Sequence, residues 1–377
     1  MGKKLRRSEA IWLEKENRWQ VKVQKDGVRK TFHSSTPGRK GKHECEEKAD
    51  NWLESGSETD VRFGAAWAEY LENVKATTKD ESYIKAESIG RNWLASLDKK
   101  KLSAIVPADF QKCINAAGQA GRAKRTCGNI RAQAFAFHKY CLTRRWPLQD
   151  PRPLTLPTDA PVGKRTILQP NAVKTLFTDD TALWRGQVKS DFYIHAYRFL
   201  FLVVLRRGEL CGIKVEDIKD GVLDLQRAFN RLNQETQGKN KNALRQILLP
   251  PMARQVVEEQ KAMLKRKGII SPWLFPDDRG NRLDTNKFFK AWKRYRTLHD
   301  MASTLHEIRH SSISSLKADL PLSLMKPAIG HSLSMDTLGT YGHEVDGDMQ
   351  MTANIMEQVY RRLVADPAPG GPSSEAK

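Results

Sequence analysis

The segment STLHEIRHSS, residues 303–312, contains His306, Glu307 and His310 in the order H-E-x-x-H. Two imidazoles one helical turn apart, with a glutamate beside the first, form the zinc-protease signature. The same string holds Arg309, three residues after His306 and so on the same helical face. Other residues able to do chemistry lie on either side of it. Arg206 and Arg207 follow the apolar run FLFLVVL, residues 199–205. A guanidinium half buried there needs an anionic partner, either Glu209 or a phosphate. Lys239 and Lys241 fall at the turn of an expected strand–turn–strand, Gly330-His331 stands at an expected helix start, and Tyr341 lies in a polar TYGH context.

Zinc would need a third ligand. The continuation HSSISSL lacks the Gly and His of the metzincin pattern, and Glu344 with Asp348 falls in a glycine-containing turn, a poor place for a ligand helix. A protease reading also leaves Arg206, Lys239 and Tyr341 without a use. No metal site and no cofactor is assigned.

Composition points the same way. The 64 Lys+Arg against 44 Asp+Glu give +20 over 377 residues, a surplus that suits a polyanion because each cation at a phosphate releases a counterion. The 39% of hydrophobic residues is enough to bury a core. Five cysteines without a C-x-x-C spacing read as reduced thiols rather than a disulfide frame. No signal peptide or bilayer-length apolar run is visible, so the expectation is a soluble cytoplasmic protein with no membrane partner.

The elements that must position these residues fall into regions. Residues 1–56 read as a three-stranded sheet plus one helix: Trp19, Val21 and Val23 alternate with polar residues, and Cys45, Ala49, Trp52 and Leu53 share a helical face. The first 42 residues carry 13 Lys+Arg against 4 Asp+Glu, so Arg18, Lys22, Arg29 and Lys30 are candidate DNA contacts on the sheet. Residues 57–148 read as four helices, with Phe63, Trp67, Tyr70 and Leu71 in the core and Pro107 in a first turn. Arg122, Lys124, Arg125 and Arg131 open the fourth helix and are further candidate DNA contacts. The proline-rich stretch 149–165 reads as a linker, residues 166–365 as a mainly helical domain with a small antiparallel sheet, and residues 366–377 as a disordered tail. The fold class is thus multidomain: sheet plus helix, then all-α, then mixed α+β.

Taken in order, the Arg of LRRGEL, a hairpin Lys, the H-x-x-R, the GH and the late Tyr in T-x-x-Y-x-H resemble the tyrosine recombinase (phage integrase) family. The resemblance is dense over the third region and looser over the helical region, similar to the family's core-binding domain. It is loose also over the sheet, similar to the arm-binding domain of phage and conjugative-element integrases. It implies that Arg206 and Arg309 clamp a scissile phosphate, that His306 and His331 complete the clamp, and that Tyr341 is the nucleophile. Lys239 would protonate the departing 5′ oxygen, and Glu209 and His310 would support the others. The implied partners are double-stranded DNA at core-type and arm-type attachment sites, copies of the chain in a tetramer, an excisionase and host DNA-bending proteins.

The sequence departs from the family's pattern at the hairpin, GKNKNALR, where Lys241 remains an alternative to Lys239. Val203-Val204-Leu205 stands where relatives have an apolar-Gly-Leu segment. His343 matches a family position in a supporting role. The stripe Thr352, Met356, Val359 and Leu363 suits either a neighbouring protomer or the chain's own core. Two other readings remain at this stage: an architectural DNA binder without catalysis, and a type IB topoisomerase or telomere resolvase.

Overall fold

The computed structural model describes residues 8–25, 28–54, 61–163, 166–236, 244–330 and 346–365. The chain divides into two compact units, Met1–Gly163 and Lys164–Lys377.

In the first unit, β1 (Ile11–Leu13), β2 (Arg18–Lys25) and β3 (Val28–Ser34) form an antiparallel meander in that order. Val21 and Val23 alternate onto the face covered by α1 (Gly38–Glu54), where Cys45 and Ala49 are wholly buried. The helix starts at Gly38, earlier than the glycines of TPGRKG suggest. Gly41 lies inside it because a Cβ there would stand 1.6 Å from the Thr36 carbonyl oxygen; the glycine allows close packing and does not break the helix.

A second core is built by α2 (Phe63–Thr77), α3 (Asp80–Ile89), α4 (Pro107–Gln119) and α5 (Lys124–Thr143). Phe63, Trp67, Tyr70 and Phe137 meet ring to ring at its centre, as their helical spacing predicts. The proline-rich stretch does not behave as a free linker throughout. Leu154 and Ala160 are buried in this core with Leu148, and the Pro161 carbonyl accepts from the Lys124 backbone N–H at 2.8 Å. Fixed proline φ angles cost little entropy to order, so the few apolar side chains suffice to dock the stretch.

The second unit comprises α6 (Pro170–Thr178), β4 (Thr181–Trp184), β5 (Gln187–Ser190), α7 (Ile194–Leu202), α8 (Arg207–Leu210), β6 (Ile218–Lys219), β7 (Val222–Leu225), β8 (Ala228–Phe229), β9 (Glu235–Thr236), β10 (Arg245–Leu248), α9 (Pro251–Arg266), α10 (Thr285–Leu298), α11 (Leu305–Leu316), α12 (Leu322–Ile329) and α13 (Asp348–Ala365). The apolar α7 is buried on all sides, with Phe288, Trp292 and Tyr295 of α10 and Tyr360 of α13 in the same core. The stripe on α13 packs within this unit rather than standing free: Met356 and Val359 are buried, and the Tyr360 hydroxyl bonds Ser312 of α11 at 2.8 Å.

Strands β10, β7 and β6 form one antiparallel sheet, β8 and β9 a separate pair. The strands flanking the expected lysine hairpin therefore belong to two ladders and do not pair with each other. The β4–β5 hairpin, unforeseen from sequence, turns through Arg185 and Gly186, both at positive φ. Among the described residues no helix is long and apolar enough to cross a membrane.

Candidate active site and nucleic-acid surfaces

The site grows from the end of α7. Val203 and Val204 link Leu202 to Arg206, and Val204 adopts φ 55, a left-handed conformation that costs a β-branched residue about 1–2 kcal/mol. Its carbonyl accepts from Nη1 of Arg309 on α11. Arg309 Nη2 donates to the Ile329 carbonyl at 2.6 Å, Arg206 Nη2 to Gly330 at 3.2 Å, and Arg245 Nε, at the start of β10, to Ala328 at 2.9 Å. Three arginines from three elements thus donate to three successive carbonyls. These lie at the C-terminal end of α12, where carbonyls lack intrahelical donors and the helix dipole is negative. Gly330, at φ 64, caps this helix end, since glycine takes the left-handed cap without a Cβ penalty; the helix start expected at Gly330-His331 runs on into residues outside the described ones.

Arg206 and Arg245 also share Glu209. Arg206 Nη1 donates to its Oε1 at 2.6 Å and Arg245 Nη2 to its Oε2 at 3.3 Å. The Arg206 backbone N–H donates to Oε2 at 2.9 Å. Burial pushes the Glu209 carboxyl upward, but Arg245, the Arg206 N–H and the Arg206 guanidinium together hold it below its ordinary value. Arg309 is 2% exposed, and burial, reinforced by neighbouring Arg206, lowers its pKa to about 10. It stays cationic at neutral pH. The four side chains Arg206, Arg245, Arg309 and Glu209 carry three positive charges and one negative, a formal +2. Such a surplus of guanidinium charge would suit an anion.

His306 is exposed on the same face of α11, and its ring meets that of half-buried His310 edge-on at 4.7 Å. Glu307 faces elsewhere. Its carboxylate accepts from the Thr304 N–H at 2.6 Å and the Thr166 N–H at 3.1 Å, contacts that hold its carboxyl below the ordinary value against the opposing effect of burial. The glutamate of HEIRH is therefore the capping residue of α11. Among the described residues no three His, Cys, Asp or Glu side chains are grouped as a metal ion would require.

Arg207 turns away from Arg206 and stands 6.0 Å over the Phe289 ring. Gly208 packs so tightly that a Cβ would lie 2.1 Å from the Phe229 carbonyl oxygen. Lys239, Lys241, His331, Tyr341 and His343 lie outside the described residues. Arg245 was not singled out by the sequence reading. Its signal is there: it shares strand parity with Ile247, which is buried, and so points to the core face.

The candidate DNA contacts are spread over two surfaces. In the N-terminal sheet the register pairs Lys22 with Thr31 and Gln24 with Arg29, so Arg18, Gln20, Lys22, Gln24, Arg29, Thr31 and His33 occupy the face opposite α1. Lys30 does not join them. It alternates with Phe32 and stands 5.6 Å over the Phe32 ring and 5.7 Å over Trp52 of α1. Arg18 pairs with Glu16, and Arg29 Nε donates to Gln24 at 3.1 Å. On the helical core, Lys124, Arg125 and Arg131 lie on α5. Arg122 precedes that helix, 6.0 Å over the Trp93 ring.

Residues 178–347 match the model of the Phage integrase family. Among solved structures, the Tn1549 transposon integrase in complex with transposon right end DNA is similar, with TM-score 0.60 and 18% identity over 78% of this chain and 99% of that one. A lambda integrase dimer bound to a COC′ core site gives TM-score 0.59 and 15% identity over 92% and 99%, and a lambda integrase tetramer bound to a Holliday junction gives 0.57 and 15% over 89% and 96%. No curated protein matches the sequence. The stretch that matches the family's model spans the arginine cluster and the HEIRH helix, and the chain shares its fold with those integrases.

Proposed function

We propose that this protein cuts and rejoins double-stranded DNA at attachment sites of a mobile element through a 3′-phosphotyrosyl intermediate on Tyr341. The observation that carries this reading is the gathering of Arg206, Arg245 and Arg309 around the single carboxylate of Glu209, on the helix system that presents His306. Attack on a phosphodiester adds negative charge to the non-bridging oxygens, and planar guanidiniums meet two such oxygens at once. Arg206 and Arg309 supply that clamp, and His306 and His331 complete it by hydrogen bonds. The Tyr341 phenol, with an ordinary pKa of about 10, needs help to lose its proton, and His306 is the acceptor. The Tyr341 oxygen bonds to phosphorus, the P–O5′ bond breaks, and Lys239 gives the leaving 5′ oxygen its proton. The 5′ hydroxyl of a second strand reverses the step, so no nucleotide cofactor is consumed.

The parts divide as residues 1–56 for arm-type sites, 57–148 for core-type sites, 149–165 as connector and 166–365 for catalysis. Four copies assemble on DNA, and an excisionase and host DNA-bending proteins set direction.

The test uses duplexes recovered from a random pool by binding to the full-length protein, nicked in turn at successive positions so that the cut fragment diffuses away. Wild type accumulates a covalent protein–DNA adduct, Tyr341→Phe gives none, and chelator leaves the yield unchanged. An adduct that persists in Tyr341→Phe refutes the nucleophile assignment; absence of adduct on every bound duplex leaves only a DNA binder.

A further inference from the structure

Arg245 is the one member of the cluster to which the clamp assigns no phosphate. It joins three elements. From the first residue of β10 its Nε donates to the Ala328 carbonyl of α12, while Nη1 and Nη2 reach the two oxygens of Glu209 at 3.5 and 3.3 Å. Glu209 in turn holds the Arg206 guanidinium at 2.6 Å and the Arg206 backbone N–H at 2.9 Å. The Arg245 side chain is 9% exposed and that of Glu209 3%, whereas Arg206 keeps 21%. The buried pair thus stands behind the more open arginine.

We infer that Arg245 is a positioning residue for strand cleavage. By fixing the Glu209 carboxylate and the end of α12 together, it sets the direction of Arg206. The inference rests on the recombinase chemistry proposed above. Only a guanidinium can do this. Its planar fork spans two oxygens of one carboxylate while Nε serves a third acceptor, whereas an ammonium is a single point of charge.

The experiment measures single-turnover adduct formation on the selected nicked duplex, together with the Kd for the intact duplex and thermal unfolding. It compares wild type with Arg245→Lys, Arg245→Met, Glu209→Gln and the Glu209→Gln/Arg245→Met double variant. Arg245→Lys keeps the charge and most of the volume. It is expected to bind DNA within about threefold of wild type yet to cleave about tenfold more slowly or worse, the scale of loss that a misplaced catalytic group produces. Arg245→Met should lose more. A purely structural role would lower the amplitude, the fraction of active molecules, and leave the rate constant of those molecules untouched. Because Arg245 acts through Glu209, the loss in the double variant should fall short of the product of the single losses. A wild-type rate constant in Arg245→Lys, or losses that multiply in the double variant, overturns the inference. Should Arg245→Met fail to fold, Arg245→Lys alone decides. No Tyr341-dependent adduct from wild type would remove the parent reading and this one with it. A wild-type adduct matched by an unimpaired Arg245→Lys removes this one only.

Discussion

Glu209→Gln is the most informative single change, because it removes the one carboxylate from a set that is already two charges positive. The wild-type contacts are close, at 2.6 Å to Arg206 and 3.3 Å to Arg245, and Glu209 is nearly solvent-free. At an effective dielectric of about 20, each such attraction amounts to about 4 kcal/mol, and desolvation takes much of that back. What remains when one member of a buried pair is deleted is a loss of about 3–5 kcal/mol. For a unit of this size, 1 kcal/mol moves Tm by roughly 2–4 °C, so the variant should melt about 6–20 °C lower at neutral pH. The gap should depend on pH. The folded Glu209 pKa lies below its ordinary 4.5, so its stabilisation is complete above 4.5 and is lost as pH falls through the lower folded value. The gap should therefore narrow as pH falls below 4.5. Sulfate should raise the Tm of the variant more than that of wild type, since the cluster then carries three positive charges and no negative one. Scanning calorimetry at pH 7 and pH 3.5, with and without sulfate, reads all three effects. A Tm gap of only 1–2 °C at pH 7, or a gap that does not narrow at all between pH 7 and pH 3.5, refutes the account of the cluster.

Three further outcomes are expected. Gly208→Ala forces a Cβ against the Phe229 carbonyl and should cost about 2–3 kcal/mol, read as a lowered denaturant midpoint; unchanged stability would mean that α8 is free to move. At Val204 the usual order of Ala over Gly should invert: Val204→Gly should be more stable than Val204→Ala by about 1 kcal/mol, since only glycine takes φ 55 without strain, and equal midpoints would deny that strain. Lys22→Ala and Arg29→Ala should each lower the salt slope of binding to an arm-type duplex by about 1, while Lys30→Ala should leave it unchanged because Lys30 stands over Phe32 and Trp52; a slope that falls with Lys30→Ala would place DNA on the other face of the sheet.

Much of the fold was legible because periodicity reports burial directly. Val21 and Val23, the aromatics of α2 and the apolar α7 all bury the faces that their spacing predicts. Arg206, Glu209 and Arg309 were legible as chemistry, since charged residues beside apolar runs must find partners, and the structure brings all three together. What was missed depends on long-range pairing. Nothing local says that β10 pairs with β7 while β9 pairs with β8, nor that a strand arginine reaches a helix end 83 residues away. Lys30 is a different matter: the charge of the segment groups it with Lys22 and Arg29, whereas counting alternate residues from Phe32 puts it on the α1 face. Gly41 inside α1 and Gly330 at the end of α12 take roles that packing and capping decide and local sequence does not.

The end of α12 has one more consequence. Its last carbonyls, Ala328, Ile329 and Gly330, are each held by a different arginine, and the chain from Gly330 runs straight into the segment that carries Tyr341. A guanidinium has five N–H groups, enough to keep a carbonyl while it grips a phosphate, but not to keep it at an arbitrary angle. The end of α12 and any anion that the guanidiniums bind are then two ligands of one arginine platform, and linkage makes their influence mutual: an anion that turns the guanidiniums shifts the carbonyls of α12, and a shift of α12 changes the affinity for the anion by the same factor.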